Sequence, residues 1–198
     1  MQNLNNMNKL INIGISGLLI ILLSQISCCK NENEVYRTNK TDWKTEFQSL
    51  LPLLGHRNWI LVVDKAFPLQ TSPGLTIIDT GEKLVPALKY VLDQIDGSTH
   101  VQPVVYHDAE MNFLTPELVP GKEEYLAALN QVLGNAVPVP ILHDSVFVKI
   151  DAASKLFSVV VLKTEETIPY SSVFIELGCK YWNADQEKEL RKLMQIQP

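Results

Sequence analysis

A chain of 198 residues, 46% of them hydrophobic and 20% charged, holds enough apolar material for one sizeable core and is too apolar for an intrinsically disordered protein. The net charge of -5, with no basic run beyond residue 30, argues against nucleic acid as a partner, because phosphate binding calls for a basic face. Of its 3 cysteines, Cys28 and Cys29 are adjacent and Cys179 stands alone, which excludes a disulfide framework.

Residues 1–28 read as an export signal. Lys9 precedes an apolar stretch of 14 residues at positions 10–23, too short for a mature transmembrane span, and small residues follow it. Ser27-Cys28 is similar to a bacterial lipobox, in which the cysteine thiol is acylated and becomes the new N-terminus. Cys29, with Ile26 three residues before it, is the alternative acceptor; plain secretion or an uncleaved anchor is the other reading of the leader. Residues 29–41 are polar and without period and read as a tether, leaving 42–198 as the exported domain. Under each reading that domain lies outside the cytoplasm, on a periplasmic or cell-surface face of the membrane.

Within the domain, Asp42 is placed to cap a helix whose apolar positions Trp43, Phe47, Leu50, Leu51 and Leu54 recur at three and four, with Gly55 as its stop. Residues 59–63, Trp-Ile-Leu-Val-Val, form an unbroken apolar run that ends at Asp64, the pattern of a strand buried on both faces. Residues 67–74, with two prolines, make a loop; 75–78 a short strand; 82–95 a helix that tolerates Pro86 only in its first turn. A strand over 101–106, a helix over 120–133 and a strand over 139–142 follow. Residues 144–154 alternate in part, but Val146, Phe147, Ile150 and Ala153 share one helical face, and the segment is predicted as a helix. Strands over 156–162 and 173–177 and a charged helix over 185–194 complete the chain. Strands alternating with helices imply a layered α/β fold with a largely parallel or mixed sheet.

Three segments carry a resemblance. Leu54-Gly55-His56 leads into the 59–63 run, Asp64 and Phe67-Pro68; residues 156–162 run into Lys163-Thr164-Glu165-Glu166; and Pro169-Tyr170-Ser171-Ser172 leads into the apolar run at 173–177 and Gly178. In this order and spacing they resemble the RbsD/FucU family of sugar mutarotases, the D-ribose pyranases and L-fucose mutarotases. The resemblance implies a three-layer α/β/α domain and an isomerase that interconverts ring or anomeric forms of a free monosaccharide by general acid/base catalysis, without a cofactor. It also implies a homo-oligomer with sites at subunit interfaces. His56 is then the general acid/base, a role imidazole suits because its pKa of ~6.5 lies near neutrality. Asp64 accepts from a sugar hydroxyl, Tyr170 and Ser172 make further substrate contacts, and His143 and His107 are the counterparts of the family's further basic or histidine sugar ligand. Ser172 stands where the family has Asn, Lys65 where it has a small residue and Glu165 where it has a turn Gly. A sugar-capture protein of the same fold without turnover is therefore the alternative.

A straight strand over 59–63 sets His56 and Asp64 roughly 20 Å apart at ~3.3 Å per residue. They reach one sugar only if the chain folds back after Gly55 or if neighbouring protomers each supply one. Two other signals compete. His107-Asp108-Ala109-Glu110, with His143, offers imidazole and carboxylate as a zinc site does, but at a spacing that matches no ligand pattern, and a strand-end loop making ordinary hydrogen bonds is the favoured reading. Asp79-Thr80-Gly81 is similar to the aspartic-protease loop, but it occurs once and leads into a helix, for which Asp79 or Thr80 is the expected N-cap.

Overall fold

The computed structural model describes residues 42–194. The export signal, both lipid-acceptor cysteines Cys28 and Cys29, and the tether lie outside the described residues. In chain order the domain runs α1 (Trp43–Leu50), β1 (Trp59–Val63), β2 (Leu75–Asp79), α2 (Leu84–Gly97), β3 (Val101–Asp108), α3 (Lys122–Leu133), β4 (Val139–Ile141), α4 (His143–Ser154), β5 (Val159–Lys163), β6 (Val173–Cys179) and α5 (Ala184–Leu193). Among the described residues no helix is long and apolar enough to cross a membrane.

The six strands form one sheet in the order β2-β5-β1-β6-β3-β4. β1, β2 and β5 run parallel, as do β3 and β4, whereas β6 is antiparallel to both its neighbours, β1 and β3. The sheet is therefore mixed, with five strands pointing one way and β6 inserted against them. β1 lies at its centre, and Ile60, Leu61, Val62 and Val63 are wholly buried. Burial of each such side chain is worth roughly 1.5–3 kcal/mol, which is why the run carries no polar residue.

Strand residues alternate between two cores. Ile60, Val62, Val105, Val160 and Ile175 pack with Trp43 and Phe47 of α1, Leu88 and Val91 of α2, and Tyr125 and Leu129 of α3. Trp59, Leu61, Val63, Val161 and Phe174 face the other way onto Val146 and Ile150 of α4. The result is a three-layer α/β/α domain, with α1, α2 and α3 on one side and α4 on the other; the stripe at Val146, Phe147, Ile150 and Ala153 is indeed the inner face of a helix.

Several boundaries move for identifiable reasons. Asp42 caps α1 by accepting from the Lys44 N–H at 3.3 Å, but Pro52 tightens Leu51–Leu53 into a 3-10 turn, so the helix expected through Leu54 ends at Leu50. The helix expected from residue 82 starts at Leu84, so neither Asp79 nor Thr80 is its N-cap: Asp79 Oδ1 accepts from the Gly81 N–H in a local turn, and Thr80 Oγ1 donates to the Lys163 carbonyl at 2.8 Å. Gly121, at φ +87°, caps α3 and leaves Pro120 outside it. Leu156 and Phe157 are not in β5, because their N–H groups bond back to the Ala153 carbonyl at the end of α4.

Candidate functional site

Since β1, β3 and β4 share a direction and β6 opposes them, the carboxyl ends of the first three and the amino end of β6 meet at one edge of the sheet. That edge is where open α/β sheets bind ligands, because loops diverge there and helix N-termini converge on it. Asp64 follows β1, Asp108 ends β3, His143 opens α4 immediately after β4, and Tyr170 and Ser172 lead into β6. Four of the five site residues expected from the sequence, Asp64, His143, Tyr170 and Ser172, are thus gathered at this edge.

The contacts are specific. Ser172 Oγ donates to Asp64 Oδ2 at 2.8 Å and accepts from the Asp64 N–H at 3.1 Å, while Asp64 Oδ1 accepts from the Ala66 N–H at 2.8 Å. His143 Nδ1 lies 3.1 Å from Asp108 Oδ1, and its ring meets those of Tyr170 and Phe147 edge-on at centroid distances of 5.4 and 5.0 Å. Phe147 in turn stacks on Phe67 at 5.4 Å, so aromatic rings run from the loop after Asp64 to Tyr170. The His143 side chain is 31% exposed and that of Asp108 is 0% exposed. Burial pushes the Asp108 carboxyl up to about 6 against the pull of His143, with Glu110 and Asp64 adding like-charge repulsion.

The segment that carries Tyr170 is held by buried polar groups. Thr164 Oγ1 donates to the Val63 carbonyl, Glu166 Oε1 accepts from the Thr167 and Ile168 N–H groups, and the Tyr125 hydroxyl donates to the Ser171 carbonyl at 2.6 Å. Burial pushes the Tyr125 hydroxyl far up, so it remains a neutral donor. Tyr170 itself sits at φ +57°, a left-handed conformation that costs a non-glycine residue roughly 1–2 kcal/mol and that collects at ligand sites.

His56 is not in this cluster. It occupies the turn before β1, at the opposite edge of the sheet from Asp64, and is exposed. Hydrogen bonds from the Arg57 N–H to the Leu177 carbonyl and from the Leu177 N–H to the Asn58 carbonyl tie that turn to β6. There His56 borders an open cavity of about 330 Å³ shared with Arg57, Val104, Tyr106, Glu176 and Cys179. β1, paired with β5 over Trp59–Val63 and with β6 over Trp59–Val62, separates the two edges, so within one chain the fold-back arrangement is not present.

His107 and Asp108, neighbours on a strand, face opposite sides of the sheet. His107 lines a cavity of about 250 Å³ with Tyr125, Asn130 and Tyr170, where burial lowers its pKa, while Asp108 reaches His143 on the α4 side. Among the described residues no group of three His, Cys, Asp or Glu is placed to hold a metal ion. Asp108 and Glu110, weighed from the sequence as metal ligands or as a strand-end loop making ordinary hydrogen bonds, do the latter, whereas nothing in the sequence singles out Tyr125. The signal was a carboxylate ending an apolar strand, which register alone did not connect to His143, 35 residues on.

These features define an α/β protein with a carboxylate, imidazole and hydroxyl site at the carboxyl edge of a mixed six-stranded sheet. No family model matches the chain, and no curated protein matches it. Among solved structures, it is similar to Bacillus subtilis RbsD complexed with D-ribose, at 20% identity and TM-score 0.46, covering 72% of this chain and 94% of that one. It is similar also to Atu2016, provisionally described as a sugar-binding protein, at 19% identity and TM-score 0.48 over 77% and 97%. A third similar structure is FucU from Bifidobacterium longum, at 16% identity and TM-score 0.44 over 68% and 94%.

Proposed function

We propose that the protein is a monosaccharide isomerase of mutarotase or pyranase type, opening and reclosing the ring of a free sugar without a cofactor. The observation that carries this reading is the convergence of Asp64, Ser172, His143 and Tyr170 at the carboxyl edge of the sheet, with the Asp64–Ser172 and His143–Asp108 pairs already formed. Ring opening needs a base for the proton of the anomeric hydroxyl and an acid for the ring oxygen as the bond from the anomeric carbon to that oxygen breaks; reclosure on either face, or onto another hydroxyl, reverses those transfers. Imidazole serves both steps, Asp64 accepts from a sugar hydroxyl, and the Tyr170 ring packs against the sugar. His56 acts as the second proton-transfer group, supplied from a neighbouring copy, since its own chain holds it at the far edge.

The reaction makes a modest demand: a positioned general acid/base contributes ~10²- to 10⁴-fold. Exchange NMR on ribose, fucose, galactose, glucose and mannose with the full-length chain tests it. Faster exchange for one of them, lost in His56→Ala with affinity retained, is the expected result; binding of a sugar without faster exchange would falsify the isomerase.

A further inference from the structure

We propose that the turn after β3 is a two-point clamp on His143, in which Asp108 acts as a positioning residue that fixes the ring as its Nδ1–H tautomer and leaves Nε2 as the base. Its two carboxylates take hold of one histidine at two places. Glu110 presents both oxygens to the His143 N–H, at 3.1 and 3.2 Å. This is the first residue of α4, and Leu142 before it gives no side-chain cap. Glu110 therefore takes the place of the missing N-cap and pins the backbone from which the ring projects.

Asp108 pins the ring. Its side chain is wholly buried, Oδ1 faces His143 Nδ1, and Oδ2 is buried with no hydrogen-bond partner. A buried carboxylate with a bare oxygen is costly and persists where its remaining bond is strong. The ionised group only accepts, so the proton must sit on Nδ1 and the lone pair on Nε2. The edge-on rings of Phe147 and Tyr170 then confine the imidazole plane. Charged or titratable groups acting on Asp108 are His143, Glu110 and Asp64, and its own charge bears on the buried Tyr125 hydroxyl. A ring oriented in this way is a competent base without further rearrangement, which is the usual value of a carboxylate behind a histidine.

The tautomer stands independently of the reaction; its catalytic consequence rests on the isomerase reading. The test is two-bond nitrogen–proton NMR of His143 in the labelled full-length chain in detergent at pH 8, with exchange rates measured on the same samples. A protonated Nδ1 and an unprotonated Nε2 are expected in the wild-type protein. Asp108→Ala should move the ring to the Nε2–H form and slow sugar exchange by roughly 10²-fold with affinity changed by no more than about threefold. Glu110→Gln should leave the tautomer in place. A wild-type His143 found as Nε2–H, or as an even mixture, overturns the proposal whatever the sugar data show. A wild-type Nδ1–H ring in a protein that accelerates no sugar supports the clamp and removes the isomerase instead.

Discussion

Asp108 is a wholly buried carboxyl set against one imidazole. Its ordinary pKa of 3.8 is pushed up to about 6 by desolvation, with His143 pulling the other way and Glu110 and Asp64 adding to the rise. A carboxyl whose folded pKa exceeds its unfolded one binds its proton more tightly in the native state. That contribution to stability is fully present below about pH 4 and is lost as pH rises through about 6, amounting to roughly 3 kcal/mol over the interval. Urea unfolding of the wild-type chain and Asp108→Asn at several pH values should therefore show a difference that turns against the wild type as pH rises from 4 to 7. A difference that stays constant with pH would show that Asp108 binds its proton no more tightly in the fold than in the unfolded chain.

At the scale of elements, the packing of α4 sets the geometry of the α4 face, and one glycine shows how tightly. A Cβ on Gly74, just before β2, would fall 2.2 Å from the Ser154 carbonyl oxygen and 2.6 Å from that of Phe157. Both are backbone atoms in the turn that returns α4 to β5, so a side chain at 74 must displace that turn. Overpacking of this kind costs typically 1–3 kcal/mol, and Gly74→Ala should lower the thermal midpoint by several degrees. An unchanged midpoint would mean that the α4–β5 turn yields freely. The same turn marks the limit of sequence legibility. Periodicity placed the strands and most helices, because burial on two faces leaves unbroken runs such as 59–63 and 159–162. It extended the fifth strand back over Leu156, since an apolar residue closing a helix cannot be told from one opening a strand. The site was legible only where a motif marked it. Asp64, Tyr170 and Ser172 stand beside recognisable strand ends, whereas Glu110 earns its place through a backbone N–H, 33 residues on, which leaves no trace in composition.

For the whole molecule, the decisive fact is that β1 carries His56 at one end and Asp64 at the other. A five-residue strand paired on both sides cannot bring them together. If both serve one sugar, the site is assembled from two copies. The edge near His56 suits such a junction, since the open cavity there is walled by Val104, which is 40% exposed, and by the Tyr106 hydroxyl bonded to Glu176 at 3.0 Å. A copy docking there with its carboxyl edge would set His56 against a foreign Asp64, His143 and Tyr170, a heterologous contact that closes into a ring when its rotation permits. The consequence is separable in a mixture. His56→Ala and His143→Ala proteins should each be inactive, but coexpressed chains that assemble at random would complete about one site in four, so roughly a quarter of wild-type exchange should return. A site contained in one chain cannot be rescued this way, because every copy then carries its own lesion. Sedimentation of the full chain in detergent supplies the control, since a monomer would leave His56 without a partner and return the acid/base work to the His143–Asp108 pair alone.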